Sequence, residues 1–464
     1  MPEELEQMLE KIRGLLASDD VAALCHFLSQ APEEDLAEVI ELLEEDEQQT
    51  VLRALNPDSA GEVLTLLDEA TRGEVVDDLT NQELTAMVRT LEPDDAADVL
   101  GELPPDQTEQ VLSRMPTEQS RQVEDLMRYP EDTAGGLMTP VLVVVPEDAT
   151  VSEAVVRIRN SGIGGDLFYL YVLDSQRHLK GVIPLRLLVT TPPDTPVGKV
   201  MLPELITIRA DQDQEEVANV FRKYDLAAVP VVDDEGRLLG RITYDDAMDV
   251  ADEEAEEDLL IMAGTDPREL ESASAMRVVG VRASWLAACM VGTLVTVAVA
   301  AFFKGQLSLQ VFAILVLFGP SIAAMSGNSG VQTSTLTILG LATGGLAGKS
   351  LRRTYLREVR VAGCLAVLFG VLAGLITWLI LPLIERTGRM HPEVSPALVA
   401  WAVGGAMFLA ILYATTLGIL LPFALRRLGV DPALASAPLV TTLNDSSSWA
   451  IYLLLATSLL SMGL

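Results

Sequence analysis

Residues 309–345, LQVFAILVLFGPSIAAMSGNSGVQTSTLTILGLATGG, contain no charged side chain. Because a helix needs about 20 apolar residues to cross a bilayer core, this stretch predicts a membrane-spanning helix that is long enough to be tilted or broken. Similar stretches occur at about 283–303, 358–384, 396–425 and 433–462. Residues 276–464 are therefore predicted to form a transmembrane domain of five helices.

The charge of the chain is divided unevenly between its two halves. After residue 283 there are 5 acidic and 10 basic residues, whereas the first 283 residues hold 62 acidic and 22 basic ones, a formal charge of −40. Such a field repels nucleic acid and attracts cations. We therefore expect cations and the lipid bilayer as partners, and no nucleic acid.

The basic residues of the membrane half favour one orientation in the bilayer. The loops after the second and fourth spans hold Lys349, Arg352, Arg353, Arg357, Arg360, Arg426 and Arg427, against Lys304, Arg386 and Arg389 in the alternate loops. Basic loops stay in the cytoplasm, and the first residues lack the features of a signal peptide. We expect a multi-pass protein of the cell (inner) membrane, with its N terminus and soluble domains cytoplasmic and its C terminus extracellular or periplasmic.

Residues 1–130 predict an acidic, all-α superhelical domain. An apolar residue recurs there every twelve positions: Leu55, Leu67, Leu79, Leu91, Leu103, Met115 and Met127. Each unit is one short helix that begins at a turn, as at Asn56-Pro57 and Glu92-Pro93, because proline suits the first helical turn. Such units stack into a superhelical array. An acidic scaffold without a ligand is the alternative for this region.

Residues 131–248 repeat the same order of strands and helices twice. The first copy, 131–200, has strand candidates at 141–145, 168–173 and 181–184 around a helix at 151–159. The second copy, 201–248, has strand candidates at 205–208, 228–232 and 239–242 around a helix at 214–223. Both copies read as βαββ units, so a tandem α/β pair is predicted.

Residues 249–275 predict an acidic helix that connects the tandem pair to the membrane. On a helix that starts slightly earlier, Asp246, Asp249, Glu253, Glu256 and Glu257 share one face. Like charges at this spacing repel by about 0.2–0.5 kcal/mol per pair. A solvated helix face is one interpretation; a surface that binds divalent cations is the other, and the charge of the whole soluble half favours it.

Two polar segments interrupt the membrane spans. The segment from Ser326 to Thr335 lies in the second span, and it predicts either a pore lining or hydrogen bonds between closely packed helices. Asp445 is the only carboxylate well inside a span, where a charge is costly unless it meets water or a counter-ion. Pro438, in the same span, predicts a break that frees carbonyl groups for an ion.

Several motifs resemble one known family. YPEDTAGGLMTP at 129–140 resembles the start of the paired cystathionine-β-synthase (CBS) domains of the MgtE magnesium transporter family, and VPVVD at 229–233 with GRIT at 240–243 resembles the second CBS domain. The run GNSGVQTSTL at 327–336 is similar to the family's Gly-Asn-x-Gly-x-Gln-x-x-Thr-Leu signature, and residues 431–445 resemble its fifth transmembrane helix. The resemblance implies a helical N domain, tandem CBS domains, a connecting (plug) helix and a five-helix pore domain.

The resemblance also implies which residues hold ions. The pore would be lined by Asp445, Asn328, Gln332, Thr441, Thr442 and Pro438, with Asp445 of two subunits facing each other in a homodimer. The cytosolic Mg²⁺ sites would be formed by Asp225, Asp246, Asp249, Glu254, Glu257 and Asp258, with Asp94, Asp95 and Asp98 of the helical domain as counterparts. The carboxylates Asp94 and Asp95 also suit a helix start on their own, because they complement the helix dipole. ATP is a further expected ligand of the CBS domains.

Three departures from the family pattern affect the predicted pore. Ser326 stands where a glycine is common, and Ile338-Leu339 lack the usual arginine. Ser446-Ser447-Ser448 replace a less polar triplet that ends in glycine. These departures bear on the intracellular mouth of the pore and on the packing behind Asp445.

We expect a Mg²⁺-selective channel or transporter for uptake, held closed by cytosolic Mg²⁺. The alternatives are a carrier of Co²⁺ or Mn²⁺, an exporter, or a membrane-anchored CBS regulator without ion flux. An enzyme is not expected, because the three histidines, His26, His178 and His391, are scattered and no nucleophile, phosphate loop or catalytic metal spacing occurs.

Overall fold

A computed structural model describes residues 3–18, 20–162, 167–203, 205–265, 275–342, 351–385, 395–435 and 437–462. The chain divides into two compact units, Met1–Glu254 and Ala255–Leu464. The first unit contains the helical domain and the tandem pair, and the second contains the long apolar helices. Each unit is described by itself.

The first unit begins with ten short helices. They are α1 (Glu3–Ala17), α2 (Val21–Leu28), α3 (Glu33–Ile40), α4 (Glu45–Ala54), α5 (Pro57–Leu66), α6 (Glu69–Asp77), α7 (Asn81–Val88), α8 (Pro93–Gly101), α9 (Pro105–Leu112) and α10 (Thr117–Leu126). Side chains at the turns start several of them: Asn56 accepts a hydrogen bond from the amide of Ser59, and Thr80 and Glu83 form a capping box. Such caps pair amides that the helix itself leaves unpaired.

The twelve-residue repeat marks the ends of these helices. Six of its seven members are buried, whereas Met127, the last one, is 37% exposed. The buried members belong to one hydrophobic core that continues into the second copy of the tandem pair, through residues such as Ile208, Phe221 and Val229. The helical domain and the second copy therefore pack as a single body.

The tandem pair consists of two sheets with the same topology. β1 (Val144–Pro146), α11 (Val151–Ser161), β2 (Tyr169–Leu173), β3 (Leu179–Pro184) and α12 (Leu185–Thr190) form the first copy; β4 (Ile208–Arg209), α13 (Gln214–Tyr224), β5 (Ala228–Val232) and β6 (Leu238–Thr243) form the second. In each sheet the first two strands are parallel and the last two antiparallel. The predicted pair of βαββ domains is confirmed, although β1 and β4 are shorter than predicted.

The two copies meet along their last hairpins. The amide of Leu179 donates to the carbonyl of Gly236 at 3.2 Å, and the amide of Leu238 donates to the carbonyl of Arg177 at 3.2 Å. Tyr171 and Leu238 pack in a small apolar cluster at this seam. Gly236, with φ of +79°, adopts the left-handed conformation that its turn requires.

The acidic helix α14 (Tyr244–Ala263) follows β6 directly. It starts at Tyr244 because Asp246 accepts hydrogen bonds from the amide and the hydroxyl of Thr243, the amide at 3.1 Å. It ends where Gly264 turns to φ of +82°, and the amide of Thr265 donates to the carbonyl of Leu260. This is the glycine C-cap that commonly terminates helices.

Five long helices make up the second unit after α14. They are α15 (Ala275–Lys304), α16 (Leu309–Ala342), α17 (Leu351–Glu385), α18 (Pro396–Arg427) and α19 (Ala437–Met462). Within the described residues, four are long and apolar enough to cross a membrane: Val278–Lys304, Leu309–Ala342, Arg352–Ile384 and Pro396–Arg427. The fifth predicted span corresponds to α19, which carries the polar run around Asp445. The predicted fold class, a multidomain membrane protein with a helical domain and an α/β pair, is confirmed.

Helices α17 and α18 approach closely at glycines. A Cβ added to Gly404 would lie 2.7 Å from the carbonyl oxygen of Gly370 and 3.4 Å from the Cα of Gly374. Small residues at such a crossing let two helix backbones pack directly in a membrane. The pair therefore depends on the absence of a side chain at Gly404.

We predict that Gly404→Ala destabilises the purified protein, because its methyl group would force the two backbones apart. Overpacking of this kind costs about 1–3 kcal/mol. Thermal unfolding in detergent measures the loss. Gly363→Ala on α17 is the matched control, since nothing lies within 4 Å of its added Cβ, and equal destabilisation by the two variants would contradict the prediction.

Candidate ion path and metal centre

Asp445 lies in the first half of α19 and is half-buried within a single chain. It is the only charged residue between 437 and 462. One turn earlier, the methyl group of Thr441 lies 3.8 Å from the position that a Cβ on Gly327 would take. Thr441 and Gly327 thus mark a contact between α19 and α16. Asp445 lies one turn after Thr441, and Asn328 directly follows Gly327, so both residues lie next to this contact.

The polar segment of α16 divides between two faces of the helix. Ser326, Ser329 and Ser334 point into the bundle, where they bond to Ser448, Thr415 and the carbonyl of Ala435, respectively. Asn328, Gln332 and Thr335 are exposed on the opposite face. Their spacing of four and three residues aligns them along one stripe. The interpretation as hydrogen bonds between packed helices thus applies to the inward face of α16, and the interpretation as a pore lining applies to its exposed face.

The other predicted pore residues on α19 make contacts inside the same unit. The methyl group of Thr442 packs directly on Gly292 of α15. Pro438 lies in the first turn of α19, which begins at Ala437, so it does not break the helix ladder as the sequence predicts. Its Cγ lies 2.7 Å from the Cβ position of Gly264, at the end of α14.

The end of α14 packs in an apolar cluster of the second unit. Ile261 and Met262 pack with Ile338, Leu421, Leu425, Ala433 and Ala435. Of the two residues that lack the family's arginine, Ile338 is 2% exposed and lies in this cluster, whereas Leu339 is 53% exposed and lies outside it.

Asp94 is the most deeply buried of the predicted metal ligands. It lies in the first turn of α8 and is 9% exposed, and its Oδ1 has no hydrogen-bond partner among the described residues. Burial, together with the charges of Asp95, Asp246 and Glu92, raises the pKa of Asp94 well above its usual value. An unpaired buried carboxylate oxygen is rare in proteins.

Two further acids share this cluster. Burial raises the pKa of Asp95 to about 7, and the charges of Asp246 and Asp98 add to the effect. Burial also raises the pKa of Asp246, although its bonds to Thr243 oppose the shift. The dipole of α8 favours carboxylates at its start, but here burial and mutual repulsion outweigh it. The cluster lies entirely within the first unit.

The remaining predicted ligands are less enclosed. Asp98, Asp225 and Asp249 have exposed side chains, and Asp225 has a left-handed φ of +50° at the end of α13. Asp98 nevertheless lies at the edge of the cluster, where desolvation and the charge of Glu131 raise its pKa to about 7. Glu254 accepts a hydrogen bond of 2.7 Å from Gln214, and Glu257 and Asp258 are half-buried on α14. Within the part of the chain that the structure describes, no three acidic, histidine or cysteine side chains are already arranged to hold a metal ion. The structure therefore brings Asp94, Asp95 and Asp246 near one another without forming a finished site.

Sequence reasoning missed the contacts that hold this cluster in place. The hydroxyl of Thr139 donates to Glu92 at 3.1 Å, and the backbones of Thr139 and Arg241 exchange two hydrogen bonds. Arg241 is 1% exposed, and its charge acts on Asp246. These residues are far apart in the chain; the only local signal is an arginine inside the otherwise apolar strand β6.

Comparison with known proteins shows the family of this chain. The profile of MgtE, described as a divalent cation transporter, matches residues 319–455; that of the MgtE intracellular N domain matches 31–132; CBS domain profiles match 134–196 and 197–253. The magnesium transporter MgtE of Thermus thermophilus is 39% identical over 342 residues, which cover 73% of this chain and 72% of that protein. This chain belongs to the MgtE family.

Other relatives extend the comparison. The magnesium transporter MgtE of Bacillus subtilis is 34% identical, over 72% of this chain and 71% of that protein. A crystal structure of the cytosolic domain of the Mg²⁺ channel MgtE in complex with ATP matches with a TM-score of 0.50 and 35% identity, over 52% of this chain and 99% of that one. The family resemblance inferred from the sequence is confirmed. MgtE proteins form a family of transporters rather than of enzymes.

We predict that Asp94→Asn stabilises the full-length protein when divalent ions are chelated, because the amide removes a buried charge. The gain is about 1–3 kcal/mol. Because the pKa values of Asp94 and Asp95 are raised, the native state holds protons between about pH 4 and 7 that the unfolded state has released, so stability falls as pH rises through this window. The variant is expected to show a shallower fall and a smaller stabilisation by Mg²⁺, both measured by thermal unfolding.

Asp106→Asn is the matched control for this experiment. Asp106 follows proline in the first turn of α9 as Asp94 does in α8, but it is exposed. If Asp106→Asn stabilised the protein as much, or if Asp94→Asn left the pH dependence unchanged, the described burial of Asp94 would be refuted.

Proposed function

We propose that this chain is the subunit of a Mg²⁺ channel or transporter that mediates magnesium uptake, with Asp445 as the ion-selecting residue. Membership of the MgtE family gives it magnesium transport. The observation that carries the assignment of the path is the half-buried Asp445 next to an exposed polar stripe on α16.

The polar stripe supports a homodimer with its pore between the two copies. Asn328 and Gln332 are exposed, and neither has a hydrogen-bond partner in the described part of the chain. Hydrocarbon offers no hydrogen bonds, so such side chains do not face lipid at membrane depth. A two-fold copy would cover the stripe and enclose water against it, because a two-fold interface brings the same surface of each subunit together.

The chemistry of this lining suits a hydrated magnesium ion. Mg²⁺ requires octahedral oxygen ligands and loses its water reluctantly, so protein sites often supply only one or two carboxylates. Asp445 of each subunit would supply the charge, and the amides of Asn328 and Gln332 with the hydroxyl of Thr441 would bind the waters of the ion. Thr442 and Pro438 would support α19 from the side of α15 and α14.

The acidic cluster of the first unit supports control by cytosolic Mg²⁺. Ions bound among Asp94, Asp95 and Asp246, with Asp98, Asp225, Asp249 and Glu254 as outer ligands, would neutralise the repulsion and hold the closed state. Glu257 and Asp258 would hold ions separately, farther along α14. When Mg²⁺ falls, the repulsion among these carboxylates returns and favours the open state. Switching a gate from 1:99 to 99:1 needs about 5.5 kcal/mol of differential binding, which is why several weak sites are needed.

The orientation and the ATP site complete the proposal. Basic residues at the ends of α17 and α18, such as Arg353 and Arg427, support a cytoplasmic location for those ends and an outside location for the C terminus. ATP would bind at the CBS pair; the related cytosolic domain was crystallised in complex with ATP. No step of ion conduction depends on ATP.

We predict that Asp445→Asn lowers Mg²⁺ uptake into proteoliposomes by about tenfold or more, because the charge that attracts the ion is lost. Asp431→Asn is the control, since Asp431 is exposed and its oxygen only caps Ala433 at 2.8 Å, a bond that asparagine can make. Wild-type uptake by Asp445→Asn would refute the selecting role. Stronger competition by Mn²⁺ or Co²⁺ than by Mg²⁺ would indicate that another divalent ion is the transported one. No ion flux at all would indicate a regulator without transport.

We predict that the double variant Asp94→Asn/Asp95→Asn stays open at cytosolic Mg²⁺ concentrations that close the wild type. The half-closing concentration, measured by patch recording from the cytosolic face, should rise by about tenfold or more, because two ligands lose their charge. Conduction at low Mg²⁺ should be unchanged, and Asp106→Asn should behave as wild type. An unchanged closing concentration would remove the cluster from gating, and repeating the titration with ATP would show whether the nucleotide shifts it.

A further inference from the structure

A closed group of hydrogen bonds joins α19 to α16 next to Asp445. The hydroxyls of Ser326 and Ser448 lie 2.9 Å apart. The amide nitrogen of Asn444 donates to the hydroxyl of Ser326 at 3.0 Å and to the carbonyl of Ala323 at 3.2 Å. The hydroxyl of Ser448 donates to the side-chain oxygen of Asn444 at 2.9 Å. Asn444 and both serines are fully buried.

Every polar atom in this group has a partner. Asn444 uses both of its amide hydrogens and its oxygen. Because Ser448 donates its one hydroxyl hydrogen to Asn444, Ser326 is the donor in the contact between the two hydroxyls. The same hydrogen of Ser326 can turn instead to the carbonyl of Ile322 at 2.8 Å. Inside a membrane no water replaces a lost partner, so a group of this kind is stable only when it is complete. Ser326 and Ser448 both stand where the family pattern predicts glycine, and the contact between them shows that the two departures form one interaction.

The neighbouring serines attach the same turn of α19 to two other helices. Ser446 contacts the hydroxyl of Thr296 on α15 at 2.9 Å, and Ser447 donates to the hydroxyl of Tyr413 on α18 at 2.9 Å. Successive residues on a helix point about 100° apart. Asn444 and Ser448 face α16, Ser446 faces α15 and Ser447 faces α18, so Asp445 points in a direction that none of these three contacts occupies.

We infer that Ser326 and Ser448, acting through Asn444, are positioning residues for Asp445. The bonds fix the rotation of α19 about its own axis, and this rotation sets the direction of the next side chain, Asp445. The inference rests on the proposed function, since it concerns the residue that selects the ion. If the carboxylate of Asp445 moves away from its proper distance to the ion, the site loses affinity and selectivity. Ser326 and Ser448 therefore determine specificity without touching the ion.

The test is a double-mutant cycle on the two serines. Ser326→Ala, Ser448→Ala and the double variant are purified, reconstituted and assayed for Mg²⁺ uptake at increasing external Mg²⁺, with Mn²⁺ as competitor. Each single variant should raise the half-saturating Mg²⁺ concentration about three- to tenfold, with little change in maximal uptake, and should weaken the preference for Mg²⁺ over Mn²⁺. The double variant should resemble the single ones, because all three lack the same bond.

Ser458→Ala is the matched control, because Ser458 lies on α19, is exposed and bonds only to its own helix backbone. A purely structural role would lower the thermal stability of the serine variants and leave half-saturation and ion preference unchanged, and this result would overturn the inference. Effects of the two serines that multiply in the double variant would also overturn it. The proposed function would fail if the wild type took up no Mg²⁺, or if Asp445→Asn took up as much Mg²⁺ as the wild type. Only this inference would fail if the wild type and Asp445→Asn behaved as proposed and the serine variants did not.

Discussion

Inside a bilayer a polar group must be paired by protein or reached by water, because hydrocarbon supplies neither donor nor acceptor. The membrane unit obeys this constraint in two different ways on the same helices. Ser326, Ser329 and Ser334 of α16 turn inward and find partners on other helices. Asn328 and Gln332 turn outward and find none in the described part of the chain. The inward set holds the bundle together, and the outward set requires a second surface and water.

In the soluble unit, too, a buried polar group needs a partner, and there the buried group is a charged carboxylate. Asp94 is buried with an unpaired oxygen, and its pKa is raised by burial and by neighbouring acids. An arrangement of this kind is unfavourable unless a cation joins it. Elsewhere in the unit, comparable carboxylates are satisfied: Glu83 accepts from Thr80, and Arg72 pairs with Glu102. The unpaired oxygen of Asp94 is therefore a local feature and is not a general result of the acidic composition.

Sequence patterns were sufficient for features that depend on neighbours in the chain. The apolar spans, the two βαββ copies and the short capped helices follow from periodicity and turn residues, and all agree with the structure. The pattern could not show that Asp94 is buried whereas Asp98, one helical turn away, is exposed, because that difference depends on packing against the second CBS domain. Nor could it pair Ser326 with Ser448, which are far apart in sequence. Pro438 lies in a first turn rather than mid-helix, because the preceding residues form a separate short turn.

Helix α14 begins in the first compact unit and ends in the second, and each of its ends has its own contacts. Its start carries Asp246, and its end places Ile261 and Met262 against α16 and α18 in the second unit. A continuous helix of 20 residues is about 30 Å long, so its first and last turns make separate contacts. Coupling between two sites requires an element that both of them bias. Helix α14 carries contacts of both kinds, those of Asp246 within the first unit and those of Ile261 and Met262 within the second.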